Sequence, residues 1–192
     1  MVNIVLFGPP GAGKGTQSEG IINKYELSHI STGDLFRKHL KEGTALGKLA
    51  QKYMDEGNLV PDQVVIDMVD YKIKSDGKVN GYIFDGFPRT VAQADALDKL
   101  MNSKGSPISC MIALEVSKDE LVKRLMNRGK TSGRTDDQDE AKIQNRITVY
   151  ENETMPVANY YQKQNKFNSI HGIGTVEEIF NNICRVIDKF KV

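Results

Sequence analysis

The sequence predicts an α/β fold of three layers, in which a central parallel sheet of five strands lies between two layers of helices. Three observations support this prediction. Strand-like and helix-like segments alternate along the 192 residues, the first strand (2–7) is almost entirely apolar, and a glycine-rich turn follows it directly. Alternation of this kind is typical of parallel sheets with crossover helices, and a short β-branched apolar run is typical of a buried central strand.

The elements can be placed in chain order from their hydrophobic patterns and from their capping residues. Strands are expected at 2–7, 28–31, 82–85, 109–116 and 168–171. Helices are expected at about 14–25, from 31 onward, at 45–56, from 61 to 75, at 90–102, from 117 through 128, on both sides of 146, and at 176–190. The expected caps are Gly57 after a helix end, Pro61 at a first helical position, Thr90 at an N-cap, and the capping-box pairs Ser117–Glu120 and Thr175–Glu178. Residues 129–137 are expected to form a polar loop, and Pro156 to kink or break the helix before it.

The composition is that of an ordinary globular chain, with 39% hydrophobic and 27% charged residues. The net charge of +1 gives no global field that would attract nucleic acid or a membrane surface, and no apolar run approaches the ~18 residues of a membrane span. We therefore expect no nucleic-acid partner and no membrane association. The sequence gives no sign of a dimer interface, so we expect a monomer, and the two cysteines without a C-x-x-C pair fit a reduced cytoplasmic setting. Cys110 and Cys184 lie far apart in apolar runs, so we expect two buried reduced thiols and no zinc site.

A phosphate-binding loop (P-loop) connects the first strand to the first helix. Its residues, 8–16, read Gly-Pro-Pro-Gly-Ala-Gly-Lys-Gly-Thr. The glycines let backbone N–H groups converge on an anion, the helix N-terminus adds its unpaired N–H groups, and Lys14 can reach the β- and γ-phosphates. Gly15 stands where the motif usually has a hydroxyl, and Thr16 comes one residue later, so the motif alone leaves the expected Mg²⁺ contact of that hydroxyl open. The loop predicts a P-loop NTPase fold that binds a nucleoside triphosphate.

Arginines elsewhere in the chain indicate a second phosphorylated ligand. Residues 85–89 follow a predicted strand at its C-terminal end, where ligands bind in open α/β sheets. There Asp85 is placed to hold Mg²⁺ through water, and Arg89 to bind an acceptor phosphate with two nitrogens. ATP and a nucleoside monophosphate together bring about six negative charges. These can be balanced by Mg²⁺ with Lys14, Arg37, Arg89, Arg124, Arg134 and Arg146.

Five motifs occur in order along the whole chain, at 8–16, 31–35 (Ser-Thr-Gly-Asp-Leu), 57–62 (Gly-Asn-Leu-Val-Pro-Asp), 85–90 (Asp-Gly-Phe-Pro-Arg-Thr) and 133–137 (Gly-Arg-Thr-Asp-Asp). Together they resemble the adenylate kinases of the short-lid type, within the nucleoside monophosphate kinases. The Gly15–Thr16 ending is that family's own form of the P-loop. The resemblance implies reversible transfer of the terminal phosphoryl group from MgATP to AMP, giving two ADP, in adenine nucleotide homeostasis and salvage.

The resemblance also implies which residues bind each nucleotide. Catalytic roles fall to Lys14, Arg89, Arg124, Arg134 and Arg146. ATP would contact Gly11, Ala12, Gly13, Lys14, Gly15, Thr16, Arg128 and Gly174. AMP would contact Thr32, Arg37, Asn58, Leu59, Val60, Gly86, Phe87, Pro88, Arg89, Gln93, Arg134 and Arg146.

The same resemblance divides the chain into a core (1–30, 61–127 and 139–192), a monophosphate-binding insertion (31–60) and a short lid (128–138). The lid has no cysteine, so the zinc site of some long-lid relatives is not expected. Arg146 comes one residue later than the family spacing, which would turn it about 100° around its helix. Met54 is either a wall of the AMP pocket or a packing residue, and the sequence leaves both interpretations open.

Other functions remain as alternatives at this point. A UMP/CMP kinase shares most of the motifs, but such enzymes often carry alanine in place of Thr32 and asparagine in place of Gln93. A nucleotide-binding regulator would keep the P-loop and lose the phosphate-binding arginines. A GTPase would read guanine with an Asn-Lys-x-Asp motif. The similar segment Asn23-Lys24-Tyr25-Glu26 ends in Glu and lies on the first helix, next to the P-loop, where it could not contact that base. A nucleic-acid motor is disfavoured because Gly86, not an acidic base, follows Asp85.

Overall fold

The computed structural model describes residues 1–190, and within them the predicted three-layer α/β architecture is confirmed. The strands are β1 (Val2–Phe7), β2 (Ser28–Ser31), β3 (Gly81–Asp85), β4 (Cys110–Glu115) and β5 (Phe167–His171). The helices are α1 (Lys14–Tyr25), α2 (Thr32–Lys41), α3 (Ala45–Asp55), α4 (Asp62–Ser75), α5 (Val91–Ser103), α6 (Lys118–Ser132), α7 (Glu140–Val149), α8 (Pro156–Gln162) and α9 (Val176–Ile187). Short 3₁₀ turns lie at Thr135–Asp137 and Asp188–Phe190.

All neighbouring strands pair in parallel, in the order β2-β3-β1-β4-β5. β1 lies at the centre, and each of its six residues is buried, as its apolar sequence predicts. The carboxyl ends of parallel strands meet at one edge of the sheet. This edge therefore brings together the P-loop after β1, the 85–89 segment after β3 and the start of α2 after β2.

The core has one cluster on each face of the sheet, because successive side chains of a strand point to opposite faces. Ile4 and Leu6 of β1 belong to the cluster that packs on α1, α6 and α9. Val5 and Phe7 belong to the cluster that packs on α4, α5 and α8. Among the described residues, no helix has the length and apolar character needed to cross a membrane.

Both cysteines are buried and unpaired, as predicted. Burial in the apolar core raises the pKa of the Cys110 thiol to about 12. Because the thiolate is the reactive form of cysteine, Cys110 is an inert packing residue.

Some predicted helix boundaries are correct and others are wrong. The Thr175–Glu178 capping box forms: Glu178 N–H donates to the Thr175 hydroxyl (3.2 Å), and Thr175 N–H donates to the Glu178 carboxylate (3.0 Å). The Ser117–Glu120 box does not form, because the Glu120 carboxylate instead accepts a hydrogen bond from Nε of Arg124, one turn later (2.8 Å). Pro61 is the N-cap of α4 and not its first helical residue.

The region before and after the expected lid also differs from the sequence prediction. The polar loop predicted from residue 129 is wrong in its first part, since α6 continues to Ser132 and ends at Gly133 with a φ of 65°. The break predicted near Pro156 is present. A π-helical turn at Tyr150–Thr154 interrupts the helical path, and α8 begins at Pro156 itself.

Candidate active site

A cleft of about 680 Å³ opens at the carboxyl edge of the sheet. Its size lies in the range of small-molecule binding sites. Every site residue predicted from the sequence lines this one cavity, from the P-loop and Asp85 to the arginines of α6 and α7, and including Gly174 beyond β5. The structure thus brings together residues that are up to 163 positions apart in the chain (Gly11 to Gly174).

The P-loop presents backbone N–H groups to the cleft. Gly11 and Gly13 have φ values of 84° and 96°, which an L side chain rarely adopts. α1 begins at Lys14 with no side-chain cap on its first N–H groups. Uncapped N–H groups at a helix N-terminus favour a bound anion. Lys14 Nζ donates to the carbonyl oxygens of Gly8 (2.7 Å) and Pro9 (3.1 Å), so its ammonium group lies directly over the loop.

The ammonium group of Lys14 lies in an unfavourable electrostatic environment. Burial lowers its pKa to about 8, and the carboxylate of Asp85 opposes this shift. The positive charges of Arg89, Arg146 and Arg128 lower the pKa further. A bound polyphosphate would remove this mutual repulsion, which makes the cluster of cations an anion site.

Arg89 also lines the cleft, and its Nε donates to the Gly86 carbonyl (2.7 Å). Its side chain is accessible to solvent, yet the cleft walls reduce its hydration, and this burial lowers the pKa of Arg89 to about 10. Arg146 adds to the shift and Asp85 opposes it. Burial also lowers the pKa of Arg134, which lines the same cavity.

Two arginines from different helices meet at one buried carboxylate. Asp137 is fully buried and accepts hydrogen bonds from Arg128 (2.6 and 3.1 Å) and from Arg146 (2.6 Å). Burial alone would raise the pKa of Asp137, but the hydrogen bond and charge of Arg128, together with Arg146, hold it below its ordinary value. Asp136 also pairs with Arg146 (3.0 Å). The extra residue in the spacing therefore leaves Arg146 in the cleft.

Gly129 on α6 makes this arrangement possible. A Cβ at this position would lie 2.2 Å from the carbonyl oxygen of Asp137. Any larger side chain would push the 3₁₀ turn away from α6, and Asp137 with it.

Two segments beside the cleft, 135–145 and 55–58, touch each other. The Thr135 hydroxyl donates to the Asp55 carboxylate (3.0 Å). Asn145 Nδ2 donates to the Glu56 carbonyl (2.7 Å) and to Asn58 Oδ1 (3.1 Å). These contacts join the two segments at the side of the cleft. They were not anticipated from the sequence, because they join segments about 80 residues apart.

Residues of the 31–60 segment and of α5 also line the cleft. The Thr32 hydroxyl donates to the Gly86 carbonyl (2.8 Å). Gln93 is only 1% exposed, and its amide accepts from Arg89 N–H (2.8 Å) and donates to Asp62 (2.8 Å). Met54 packs on the apolar cluster, which confirms the packing interpretation, and it also lines the cavity, so its place in the wall of an AMP pocket stays a prediction. Asp62 itself was missed, although it ends the 57–62 motif.

Comparison with known proteins identifies the family of this chain. The family model described as adenylate kinase matches residues 6–166. The chain belongs to the adenylate kinase family. Among its relatives, the adenylate kinase of Flavobacterium psychrophilum is 52% identical over 98% of this chain and 99% of its own length. The adenylate kinases of Flavobacterium johnsoniae and Bacteroides thetaiotaomicron are 53% and 50% identical, each over 98% of this chain and at least 99% of their own.

Membership of the adenylate kinase family confirms the resemblance drawn from the five motifs. The chain is therefore an enzyme, a transferase of the nucleoside monophosphate kinase type, and its fold is the P-loop fold of that family. Membership also decides against a GTPase, a nucleic-acid motor and a nucleotide-binding regulator.

Proposed function

We propose that this cleft transfers the terminal phosphoryl group of MgATP to AMP and forms two ADP, serving adenine nucleotide homeostasis and salvage as a cytoplasmic monomer. One observation carries the proposal. The P-loop of the donor half and the arginine and glutamine side chains of the acceptor half line the same cavity. Both nucleotides can therefore bind at once, with their phosphates directed toward each other.

The donor half is the P-loop with the neighbouring part of α6. Gly11 to Thr16 would wrap the ATP phosphates, and Arg124 would reach them from α6, where it already contacts the Ala12 carbonyl (3.5 Å). Arg128 would lie against the adenine, and the backbone of Gly174 would contact the base. Both residues line the same cavity as the P-loop.

The acceptor half is the far end of the cleft. Arg89 would bind the AMP phosphate, with Arg37, Arg134 and Arg146 adding positive charge. Thr32, the 58–60 segment, the 86–88 segment and Gln93 would surround the nucleoside. All of these residues line the same cavity as the P-loop.

Phosphoryl transfer needs in-line positioning of the two nucleotides and charge stabilisation on the moving group. Lys14 supplies that charge at the point where the two halves meet, and it would follow the phosphoryl group from ATP to AMP. The residues present fit Mg²⁺, since Asp85 offers one carboxylate beside the phosphate cradle, and Mg²⁺ prefers one or two carboxylates with substrate phosphates. When bound, Mg²⁺ neutralises charge on the phosphates.

The chain divides, in this proposal, into a core (1–30, 61–127 and 139–192), an insertion (31–60) and a lid (128–138). Closure of the lid over the substrates is an established property of adenylate kinases. The hydrogen bond from Thr135 of the lid to Asp55 of the insertion supports such a closed state here. Closure keeps water away from the phosphoryl group.

The decisive experiment incubates the protein with MgATP and a panel of nucleoside monophosphates and measures both diphosphates. We expect ADP from ATP with AMP, at a kcat/KM at least tenfold above that for UMP, because uracil presents to the Gln93 amide the reverse of adenine's donor and acceptor pattern. A higher kcat/KM for UMP or CMP would establish the UMP/CMP alternative. An absence of ADP from ATP with AMP would overturn the proposal.

Replacement of Gln93 with leucine tests the acceptor assignment. The change removes the amide that faces the base and leaves the polar edge of adenine without partners. We expect the KM for AMP to rise by about tenfold to a hundredfold, with the KM for ATP changed less than about twofold. Steady-state kinetics with each nucleotide varied in turn measures both constants. Equal effects on both would contradict the assignment.

The pKa of Lys14 predicts a pH dependence. Below about pH 8 the amine of the free enzyme is charged and binds phosphate, and above it the charge is lost. We therefore expect kcat/KM for ATP to decline above about pH 8, because this parameter reports the free enzyme. Bound phosphates raise the pKa of Lys14, so kcat should stay level to a higher pH. Nucleotide phosphates are already ionised throughout this range. A kcat/KM that is level to pH 10 would contradict the lowered pKa.

A further inference from the structure

Asp62 lies behind the wall of the cleft and does not line the cavity. It is the first residue of α4, and its Oδ1 accepts two hydrogen bonds from the neighbouring segment. One comes from Nε2 of Gln93 (2.8 Å) and the other from the Thr90 hydroxyl (3.0 Å). Gln93 Oε1 in turn accepts from Arg89 N–H (2.8 Å). Asp62 therefore ends a short chain of hydrogen bonds that passes through Gln93.

The chemistry of its two partners gives the Gln93 amide a single orientation. A backbone N–H can only donate and a carboxylate can only accept, so the amide oxygen must face Arg89 and the amide nitrogen must face Asp62. A reversed amide would set donor against donor and acceptor against acceptor. In a side chain that is 1% exposed, no water would relieve these contacts.

We propose that Asp62 is a positioning residue that fixes the Gln93 amide and so selects the base of the monophosphate. The inference rests on the proposed function, since it needs the base to lie at Gln93. With one N–H bonded to Asp62 and one oxygen lone pair bonded to Arg89 N–H, the amide keeps one donor and one acceptor for the ligand. That pair matches adenine, whose edge offers an amino donor beside a ring-nitrogen acceptor.

The fixed orientation also defines which bases are rejected. Guanine and hypoxanthine present a carbonyl acceptor beside a ring N–H donor, which is the reverse of adenine, and only a turned amide would match them. Asp62 and Arg89 N–H prevent that turn. Cytosine has the same donor and acceptor pattern as adenine, so this network does not discriminate against CMP. The specific consequence is rejection of 6-oxopurine monophosphates.

Replacement of Asp62 with alanine tests the proposal with AMP and IMP as acceptors. We expect the KM for AMP to rise about tenfold, the KM for ATP to stay within about twofold, and the kcat/KM ratio of AMP over IMP to fall about tenfold. Asp62→Asn keeps an acceptor oxygen and should restore most of the ratio. Asp67→Ala is the matched control, because Asp67 lies on the same helix, accepts from Gln63 (2.7 Å) and does not line the cavity. It should change neither KM.

A double-mutant cycle separates positioning from general stability. If Asp62 acts through Gln93, Asp62→Ala should change the KM for AMP less than about twofold in a Gln93→Ala background. Additive effects, or an unchanged AMP over IMP ratio in Asp62→Ala, would overturn the proposal. Asp62→Ser, too short to reach Gln93, carries the same test if a melting curve shows that Asp62→Ala does not fold. Wild-type protein that forms no ADP from ATP and AMP would instead overturn the proposed function.

Discussion

Replacement of Arg89 with alanine is expected to lower kcat about a thousandfold while the fold stays intact. Within the described residues, Nε is the one side-chain nitrogen of Arg89 that is hydrogen bonded to the protein, at the Gly86 carbonyl (2.7 Å), so both terminal nitrogens are free for a phosphate. Removing one preorganised group that stabilises transition-state charge typically costs about 10²–10³ in kcat, and an arginine directed at a transferring phosphoryl group costs about 10³–10⁵.

The melting temperature of Arg89→Ala should not fall with its activity. The pKa of Arg89 is lowered to about 10 by burial and by the nearby positive charge of Arg146, which means that the free cleft disfavours the charged guanidinium. The melting temperature of ligand-free Arg89→Ala should therefore equal or exceed that of the wild type. Arg185→Ala is the control, since this exposed arginine on α9 contacts Asn182 (3.2 Å) outside the cleft. Near-normal turnover with AMP in Arg89→Ala would remove Arg89 from the site.

The sheet and the P-loop could be predicted because their causes are local. The apolar run of β1 requires burial, and the glycines after it permit the positive φ values seen at Gly11 and Gly13. The extent of α6 could not be predicted in this way. Its polar last turn continues as helix because the 3₁₀ turn at Thr135–Asp137 packs closely on Gly129, and this contact is tertiary.

The arginines of the site could be predicted from charge balance, since two nucleotides need many cations. Their protein partners could not. Asp137 appeared in the sequence only as a neighbour of Arg134, whereas its observed partners, Arg128 and Arg146, each lie nine residues away on different helices. The role of Asp62 could not be predicted either, because its hydrogen bond to Gln93 joins residues 31 positions apart. Residues that position the binding groups are visible only once the helices are packed.

Replacement of Asp137 with alanine is expected to lower the melting temperature by about 5–10 °C. Removing one partner of a buried ion pair costs about 3–5 kcal/mol, and the partial exposure of Arg128 reduces this to about 2–3 kcal/mol. For a chain of 192 residues, each kcal/mol lowers the melting temperature by about 2–4 °C. Asp137→Asn keeps a hydrogen-bond acceptor without the charge, so its melting temperature should lie between those of the wild type and Asp137→Ala. Asp119→Ala, an exposed carboxylate on the same helix as Arg128, is the control.

The pH dependence of this loss follows from the pKa of Asp137. Because Arg128 and Arg146 hold that pKa below its ordinary value, the carboxylate stabilises the fold at pH values above about 4 and loses this effect as the pH falls through its folded pKa. The difference in melting temperature between wild type and Asp137→Ala should therefore be constant near neutral pH and become smaller in acid. A difference that grows in acid would contradict the ion pair.

The change in melting temperature on adding an anion tests whether the Asp137 carboxylate balances positive charge that a bound phosphate would otherwise balance. In Asp137→Ala, Arg128 and Arg146 face each other and the cations of the cleft with no carboxylate between them, so an added anion should relieve more repulsion than in the wild type. Inorganic tripolyphosphate is therefore expected to raise the melting temperature of Asp137→Ala more than that of the wild type. It should raise the melting temperature of the Asp119→Ala control by the same amount as that of the wild type. Equal increases in all three proteins would show that Asp137 stabilises the lid turn without balancing the charge of the phosphate-binding arginines.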